Sequence, residues 1–394
     1  MRNERRMELL NGVRRVVIKV GSGVLGRDDG SLGVPTLKRI VDDVCALRKR
    51  GFEVIMVSSG AVMAGRRELG LPGGKLTIPQ KQAAAAVGQV KLMKLYEESF
   101  SRNGIQTAQI LLTHMDIADD YERVLNVRNT ITVLLEMGAV PVINENDTVS
   151  DEELKFGDND TLAAKTASAL GMHLLLILSD VDGLYDSDPR LNLDAAIISD
   201  VTNYQDVVEK AGESSSGTGA GGMKAKVNAA KIALDGGVPS WIVSGKREGA
   251  MIDALTKGVG GTVFYPVGGE KLSAKRHWMM HVLKPKGRIV VDEGAEKALL
   301  KDGKSLLPSG IMEIHGSFSA GDGVSICNNV ENVDLAFGIT KYASNELERI
   351  KGRKSSEIEG ILGFKRSDEV VDRDEFFTIV RKHIKKSWNG GTLK

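Results

Sequence analysis

A series of short, near-continuous apolar runs, each closed by a polar or glycine-rich turn, constrains this chain more than any other feature. The runs are Arg14 to Val20, Glu53 to Val57, Ile105 to Leu111, Ala139 to Ile143, His173 to Leu178 and Pro239 to Val243. Apolar residues at successive positions, rather than at alternate ones, are what a parallel strand buried on both faces requires. Helical periodicity fills the intervals. Pro35 opens a helix that continues through Ile40, Val44 and Leu47 to Gly51, and Gln80 to Phe100 forms a longer one. Asp119 to Met137 and the segment after Asp160 supply further helices. This alternation predicts an α/β fold, a three-layer αβα sandwich around a mainly parallel sheet.

Composition narrows the class. The 394 residues suffice for two domains with substantial cores. At 42% hydrophobic, 27% charged and 5% aromatic, the chain has the balance of an ordinary globular protein. A net charge of +1 provides no electrostatic footprint for nucleic acid or an anionic membrane. No apolar run is long enough to span a bilayer, and the charged segment Met1 to Arg15 lacks the apolar centre of a signal peptide. Cys45 and Cys327 are too few and too far apart for a disulfide framework or a zinc site. The expected location is a reducing cytoplasm.

In an open α/β sheet, ligands sit at the carboxyl ends of the strands, so the turns there carry the chemical information. The first strand ends in Lys19-Val20 and runs into Gly21-Ser22-Gly23, where the backbone can approach a ligand closely. The plain alternative for Lys19 is a strand-end lysine snorkelling to solvent. No third glycine follows Gly23 at the dinucleotide spacing, which argues against a Rossmann dehydrogenase. The second strand ends in Ser58-Ser59-Gly60-Ala61, offering hydroxyls and N–H groups to an anion, or simply a helix cap. After the fourth run comes the longest polar stretch, Asn144 to Asp160. It holds two Asx-rich clusters, Asn144 to Asp147 and Asp158 to Asp160, flanking a hairpin around Ser150-Asp151. Asp158 or Asn159 would cap the helix that follows. A solvated acidic loop is the bland reading; the spacing does not fit the twelve-residue calcium loop. Ser179 and Asp180 close the next strand. Ser214 to Gly222 leads directly into a helical pattern, so its glycines are either a linker or a phosphate-holding turn at a helix N-terminus. The Gly-Lys-Ser/Thr of a Walker loop is missing.

Beyond Pro266-Val267-Gly268-Gly269 the pattern changes. Arg288 to Val291, Met312 to Ile314, Val324 to Ile326 and Ala336 to Ile339 are short strands between Gly and Asn turns, the signature of a small β-rich domain. The expected division is residues 1–274 and 275–394. Arg381 to Lys386 reads as a solvated basic helix end.

The strings IKVGSGVL (Ile18 to Leu25), SSGAV (Ser58 to Val62), PVINENDTV (Pro141 to Val149), KFGDND (Lys155 to Asp160), LILSDVDGLYDSDPR (Leu176 to Arg190) and GTGAGGMKAK (Gly217 to Lys226) occur in this order. Together they resemble the amino acid kinase family, in particular its members that phosphorylate glutamate. GRIVVDEGA (Gly287 to Ala295) resembles the PUA domain appended to many of them, a small β-rich PUA-like barrel. The kinase motifs cover the N-terminal two-thirds of the chain, and the PUA-like motif marks the rest. It implies transfer of the ATP γ-phosphoryl group to the side-chain carboxylate of L-glutamate, giving L-glutamyl 5-phosphate for proline biosynthesis. It places Lys19 and Lys226 at the transferring phosphoryl group, with Asp160 orienting both. Ser59, Asp147 and Asn159 would hold glutamate, and Gly21, Gly23 and Gly60 would shape the phosphate path. Ser179, Asp180 and the run Ala220, Gly221, Gly222, Met223, Lys224, Ala225 and Lys226 would line the ATP site, with Lys19 also touching the nucleotide. Mg²⁺ would be held largely by nucleotide phosphates, without dedicated protein ligands. Two departures stand out: Ala220 occupies a position where threonine is common, and Ser179 replaces a threonine while keeping the hydroxyl.

The same resemblance implies proline as a feedback inhibitor, a homo-oligomer (dimer or tetramer), and channelling of the product to glutamyl phosphate reductase. The Gln80 to Phe100 helix is a candidate interface, and Val149 to Phe156 a hairpin over the substrate. The rival readings are a kinase acting on acetylglutamate, aspartate, carbamate or UMP, and an RNA-binding protein acting through the PUA-like domain. The asparagine- and aspartate-rich pair of motifs favours glutamate, and the balanced charge disfavours RNA.

Overall fold

Valine, isoleucine and leucine crowd the apolar runs because most of these strands are covered on both sides; the exception is the run ending at Leu112, an edge strand in which only Leu112 is buried. In the computed structural model of this chain they form β1 (Arg15–Val20), β2 (Glu53–Ser58), β3 (Thr107–Leu112), β4 (Val140–Glu145) and β5 (Leu174–Ser179). The short β6 (Asp200–Val201), β7 (Ser240–Ser244) and β8 (Thr262–Phe264) complete one eight-stranded sheet in the order β3-β4-β2-β1-β5-β7-β8-β6. The structure describes residues 2–27, 29–71, 74, 76–118, 121–149, 159–189, 191–192, 194–205, 207, 220–266, 285–330, 333–373 and 376–378. The chain divides into two compact units, Met1–Trp278 and Met279–Lys394. The boundary expected at 274/275, the hairpin around Ser150-Asp151 and the basic tail all lie outside the described residues.

The strands from β3 to β7 are parallel, and β8 joins β7 antiparallel. The run Gly260 to Phe264 therefore returns to the sheet, but one place in from its edge, which β6 occupies. The order reverses at β1, whose neighbours are β2 on one side and β5 on the other. That is the topological switch point where such sheets open a crevice at their carboxyl ends.

Alternation along β1 decides what each face receives. Val16, Ile18 and Val20 join a core with Val54, Met56, Val140 and Val142, covered by Leu37, Ile40, Val44 and Leu47 of the Val34–Lys49 helix and by Leu92, Tyr96 and Phe100 of the Ile78–Ser101 helix. Lys19 falls on the opposite face, beside Val57 of β2 and Ile177 of β5. Against β1 on that side packs the Asn159–Ala169 helix, itself packed on the Ala220–Asp235 helix. The Asn159–Ala169 helix is buried almost all round, with Leu162, Ala163, Ala164, Thr166 and Ala167 enclosed. Its small alanine side chains allow it to lie close to both neighbours.

The small-residue patch around Gly88 has a use inside the chain. A Cβ on Gly88 would stand 1.8 Å from the Ala61 carbonyl oxygen, and one on Gly65 would stand 1.8 Å from that of Ala84. The Ala61–Glu68 and Ile78–Ser101 helices thus meet backbone to backbone. Thr77 caps the longer helix in a capping box with Gln80. The N-terminal segment, read from sequence only as charged, is a helix, Arg2–Asn11. Its Arg6 is buried, donates to Asp200 (3.1 Å) and to the carbonyls of Ser199, Gly258, Gly260 and Gly261, and lies 5.1 Å from the centre of the Trp241 ring.

The second unit has its own core, built from Ile289, Val291, Leu306, Val324, Ile326, Leu335 and Tyr342 among others. Its five-stranded sheet runs β10 (Ile311–Gly316), β9 (Gly287–Val291), β11 (Gly323–Asn328), β12 (Asp334–Ile339), β13 (Phe376–Thr378). The sequence pattern shows these strands but misses three helices between them, Glu293–Leu300, Ser344–Ile350 and the short Ile358–Leu362. Asp292 caps the first by accepting from the Ala295 N–H at 2.7 Å. Among the described residues, no helix is long and apolar enough to cross a membrane.

Candidate active site

The carboxyl ends of β1, β2, β4 and β5 converge with the first turns of two helices, and most of the polar residues singled out above meet there. Asp160, in the first turn of the Asn159–Ala169 helix, lies where a carboxylate is favoured by the helix dipole. One of its oxygens is 2.5 Å from Lys19 Nζ, the other 3.5 Å from Lys226 Nζ. Lys19 is 5% exposed, Asp160 3% and Lys226 9%, so the snorkelling reading of Lys19 fails. Lys226, in the second turn of the Ala220–Asp235 helix, also donates to the Gly222 carbonyl at 3.2 Å. Two buried ammonium groups share one carboxylate, leaving one positive charge in excess within the triad. Buried charge of that kind is costly unless a counter-charge arrives, so the arrangement is built for an anion.

Asn159, the neighbour of Asp160, organises a second cluster. Its Nδ2 donates toward Ser59 Oγ (2.9 Å), the Asn144 Oδ1 (3.0 Å) and the Ser58 carbonyl (3.2 Å). Its Oδ1 is buried and accepts nothing among the described residues. Asn144 donates in turn to Gln89 Oε1 at 2.8 Å. Ser58 Oγ and Tyr96 OH are 2.8 Å apart, and burial pushes the Tyr96 hydroxyl up to about 12. Gly60, with φ of 111°, turns the chain from β2 into the Ala61–Glu68 helix through a conformation that favours glycine.

Asp147 stands apart from this hydrogen-bonded cluster; the charges it feels are those of Glu145 and Lys81. Burial pushes its carboxyl up to about 6, with Lys81 pulling the other way. Glu145, at the end of β4, is pushed up to about 8 by burial and then by the charges of Asp147 and Asp116, with Lys165 opposing. Its Oε1 is buried and has no hydrogen-bond partner among the described residues. Sequence reading passed over both Glu145 and Gln89. Glu145 looked like one more acidic loop residue, although it ends a buried strand. Gln89 was detectable as a lone amide on the helix stripe shared with Ala85, Leu92 and Tyr96.

The turn after β1 reaches the end of β5. A Cβ on Gly21 would come within 3.2 Å of Lys19 Nζ, and one on Gly23 within 3.4 Å of the Asp180 carboxyl. Ser179 is buried and donates to Asp180 Oδ1 at 3.3 Å, while Asp180 itself is exposed. Ala220, Gly221 and Gly222 open the Ala220–Asp235 helix, and Met223, Lys224 and Ala225 continue its first turns toward Lys226. The preceding glycine-rich residues 214–219 and the hairpin 150–156 lie outside the described residues, as does Asp158. A glycine-containing turn, a helix N-terminus and two ammonium groups thus come together beside the amide cluster.

Comparison with known proteins identifies the family. The model of the Amino acid kinase family matches residues 14–244, and that of the PUA domain matches residues 287–362. The chain is 46% identical to a glutamate 5-kinase of Pelobacter propionicus over 95% of its length and 100% of that protein. It is 48% identical to a glutamate 5-kinase of Syntrophotalea carbinolica, over 96% of this chain and 100% of that one. A crystal structure of UMP kinase from Bacillus anthracis aligns with a TM-score of 0.45 at 17% identity, over 65% of this chain and 97% of the other.

Proposed function

We propose, from the premise that this chain belongs to the amino acid kinase family and within it to the glutamate 5-kinases, that it transfers the γ-phosphoryl group of ATP to the side-chain carboxylate of L-glutamate. The observation that carries this reading is the buried Lys19–Asp160–Lys226 triad at the sheet's switch point. The reaction brings two anions together and passes through a loose, in-line transition state. It needs no protein nucleophile, because the acceptor carboxylate already carries the attacking oxygen. What the protein must supply is alignment and fixed positive charge.

Lys19 and Lys226 supply that charge from two different layers of the fold. Asp160 holds both ammonium groups through its two oxygens and so acts as a positioning residue. The Ala220–Asp235 N-terminus, Ser179 and Asp180 line the nucleotide, with Gly21 and Gly23 leaving room for its phosphates. The donor set also fits Mg²⁺ held mainly by phosphates, since Asp160 is already engaged by two lysines. When bound, the metal would neutralise charge on the phosphate oxygens. On the acceptor side, Ser59 and Asn159 hold glutamate, Asn159 Oδ1 accepting from a donor on the substrate, and Asp147 offers a counter-charge to the α-ammonium group. By the same reading proline inhibits at the glutamate site, the enzyme is a homo-oligomer, and its labile product passes to glutamyl phosphate reductase.

The deciding experiment traps the acyl phosphate as its hydroxamate, with ATP and each of glutamate, acetylglutamate and aspartate as acceptor, while carbamate and UMP are followed by ADP formation. Glutamate should be the productive acceptor. Turnover of acetylglutamate without turnover of glutamate would overturn the assignment.

A further inference from the structure

The amide cluster has a direction, and two backbone groups set it. The Glu145 N–H can only donate, and it lies 2.9 Å from one end of the Asn144 amide, so that end is the oxygen. The Ser58 carbonyl can only accept, and it lies 3.2 Å from one end of the Asn159 amide, so that end is the nitrogen. These constraints agree: Asn159 Nδ2 donates to Asn144 Oδ1, Asn144 Nδ2 donates to Gln89 Oε1, and every amide in the line points the same way. The polarity of such groups is otherwise a matter of assignment, and here neighbours with fixed roles dictate it.

Two buried atoms are without partners among the described residues at the ends of the line, Asn159 Oδ1 and Gln89 Nε2. Asn144 is 2% exposed and Gln89 8%. The relay begins on the Ile78–Ser101 helix on one face of the sheet and crosses the carboxyl edge through Asn144 of β4. It ends on the helix that covers the opposite face.

We infer that Gln89 is a positioning residue for the acceptor, which fixes Asn144 and through it the orientation of Asn159, so that Asn159 Oδ1 is presented as an acceptor to the α-ammonium group. This rests on the glutamate reading above and adds its specificity: the relay selects an acceptor that carries an N–H donor beside the reacting carboxylate. With the amide reversed, Asn159 would present an NH₂ group and repel the same substrate. Removing the Gln89 oxygen leaves Asn144 Nδ2 buried and unsatisfied, which frees the relay to shift.

The test compares L-glutamate with glutarate, which keeps both carboxylates and lacks the α-ammonium group, using the full chain and hydroxamate trapping. Gln89→Leu should raise the glutamate KM about ten-fold or more and lower the glutamate/glutarate ratio of kcat/KM by a similar factor, with the ATP KM little changed. Asn144→Ala should show the same pattern. Gln89→Glu keeps an accepting oxygen toward Asn144 and should restore most of the discrimination. An unchanged ratio in folded, active Gln89→Leu overturns the inference. So does a loss of kcat and of both KM values in step with a fall in Tm that Gln89→Glu fails to repair. If Gln89→Leu does not fold, the ratio measured in Gln89→Glu decides alone, and its loss there overturns the inference. Wild-type protein that yields no hydroxamate from glutamate would sink the function itself, a result distinguishable from failure of the relay alone.

Discussion

At the residue scale, the two lysines and the two raised carboxyls make separate demands. If Lys19 and Lys226 act on charge that develops in transfer, Lys19→Ala and Lys226→Ala should lower kcat by about 10²-fold or more while the glutamate KM stays near its original value. Steady-state kinetics with both substrates varied checks this; a glutamate KM effect with kcat intact would move the lysines out of that role. Asp147, pushed up to about 6, loses its charge as pH falls through that value. The glutamate KM should therefore rise below about pH 6, and Asp147→Asn should raise it above that pH, converge with the wild type below it and so flatten the profile. Glu145, pushed up to about 8, gives a stability prediction of opposite feel. Between its ordinary value of 4.5 and about 8 the folded state binds more protons than the unfolded one. Stability contributed at this site is then greatest at low pH and is lost as pH rises through that window. Thermal unfolding across pH 5 to 9 should show Tm falling with a slope that Glu145→Gln reduces.

At the element scale, the Ile78–Ser101 helix does more than cover the sheet. It brings Gln89 to Asn144 and Tyr96 to Ser58, two contacts seven residues apart on one helical stripe. Its placement depends on Gly88, where a Cβ would meet backbone atoms at 1.8 and 2.4 Å that cannot move independently of their helix. Gly88→Ala should separate the two helices, destabilise the protein by about 1–3 kcal/mol, and raise the glutamate KM through the displaced amide relay. Chemical denaturation and kinetics on the same preparation test both effects together. A neutral substitution would show that the close approach can relax without cost. The patch was visible in the sequence as Ala83 to Ala86 with Gly88, but its partner was not. Small residues reveal that something comes near without saying what.

At the scale of the whole molecule, each unit has its own sheet and its own enclosed core, and the site residues described above all belong to the first. A chain ended at Trp278 should fold and retain hydroxamate formation from glutamate, measured by circular dichroism and the same assay. Loss of activity with the fold intact would assign the β-rich unit a part in catalysis.

Sequence alone marked most of the strands, the class of the sheet and the polar turns that close the strands, because burial on both faces and backbone geometry at turns leave local marks. Lys19, Ser59, Asn159 and Ser179 stood out for that reason, each a polar residue where an apolar run ends or a helix begins, while Lys226 and the roles of all five came from the family resemblance. Local marks could not decide which of these residues meet. The family resemblance implied that Asp160 serves both Lys19 and Lys226, residues separated by most of the first unit's length, and the fold supplies the distances at which its carboxylate lies between them. The tertiary structure alone turns Glu145 into a buried carboxyl and makes Gln89 the anchor of an amide line. The N-terminal helix and β6 were missed on the same ground, since Arg6 and Asp200 gain their meaning from each other. Hydrogen bonds and ion pairs across layers depend on distances that no stretch of sequence records.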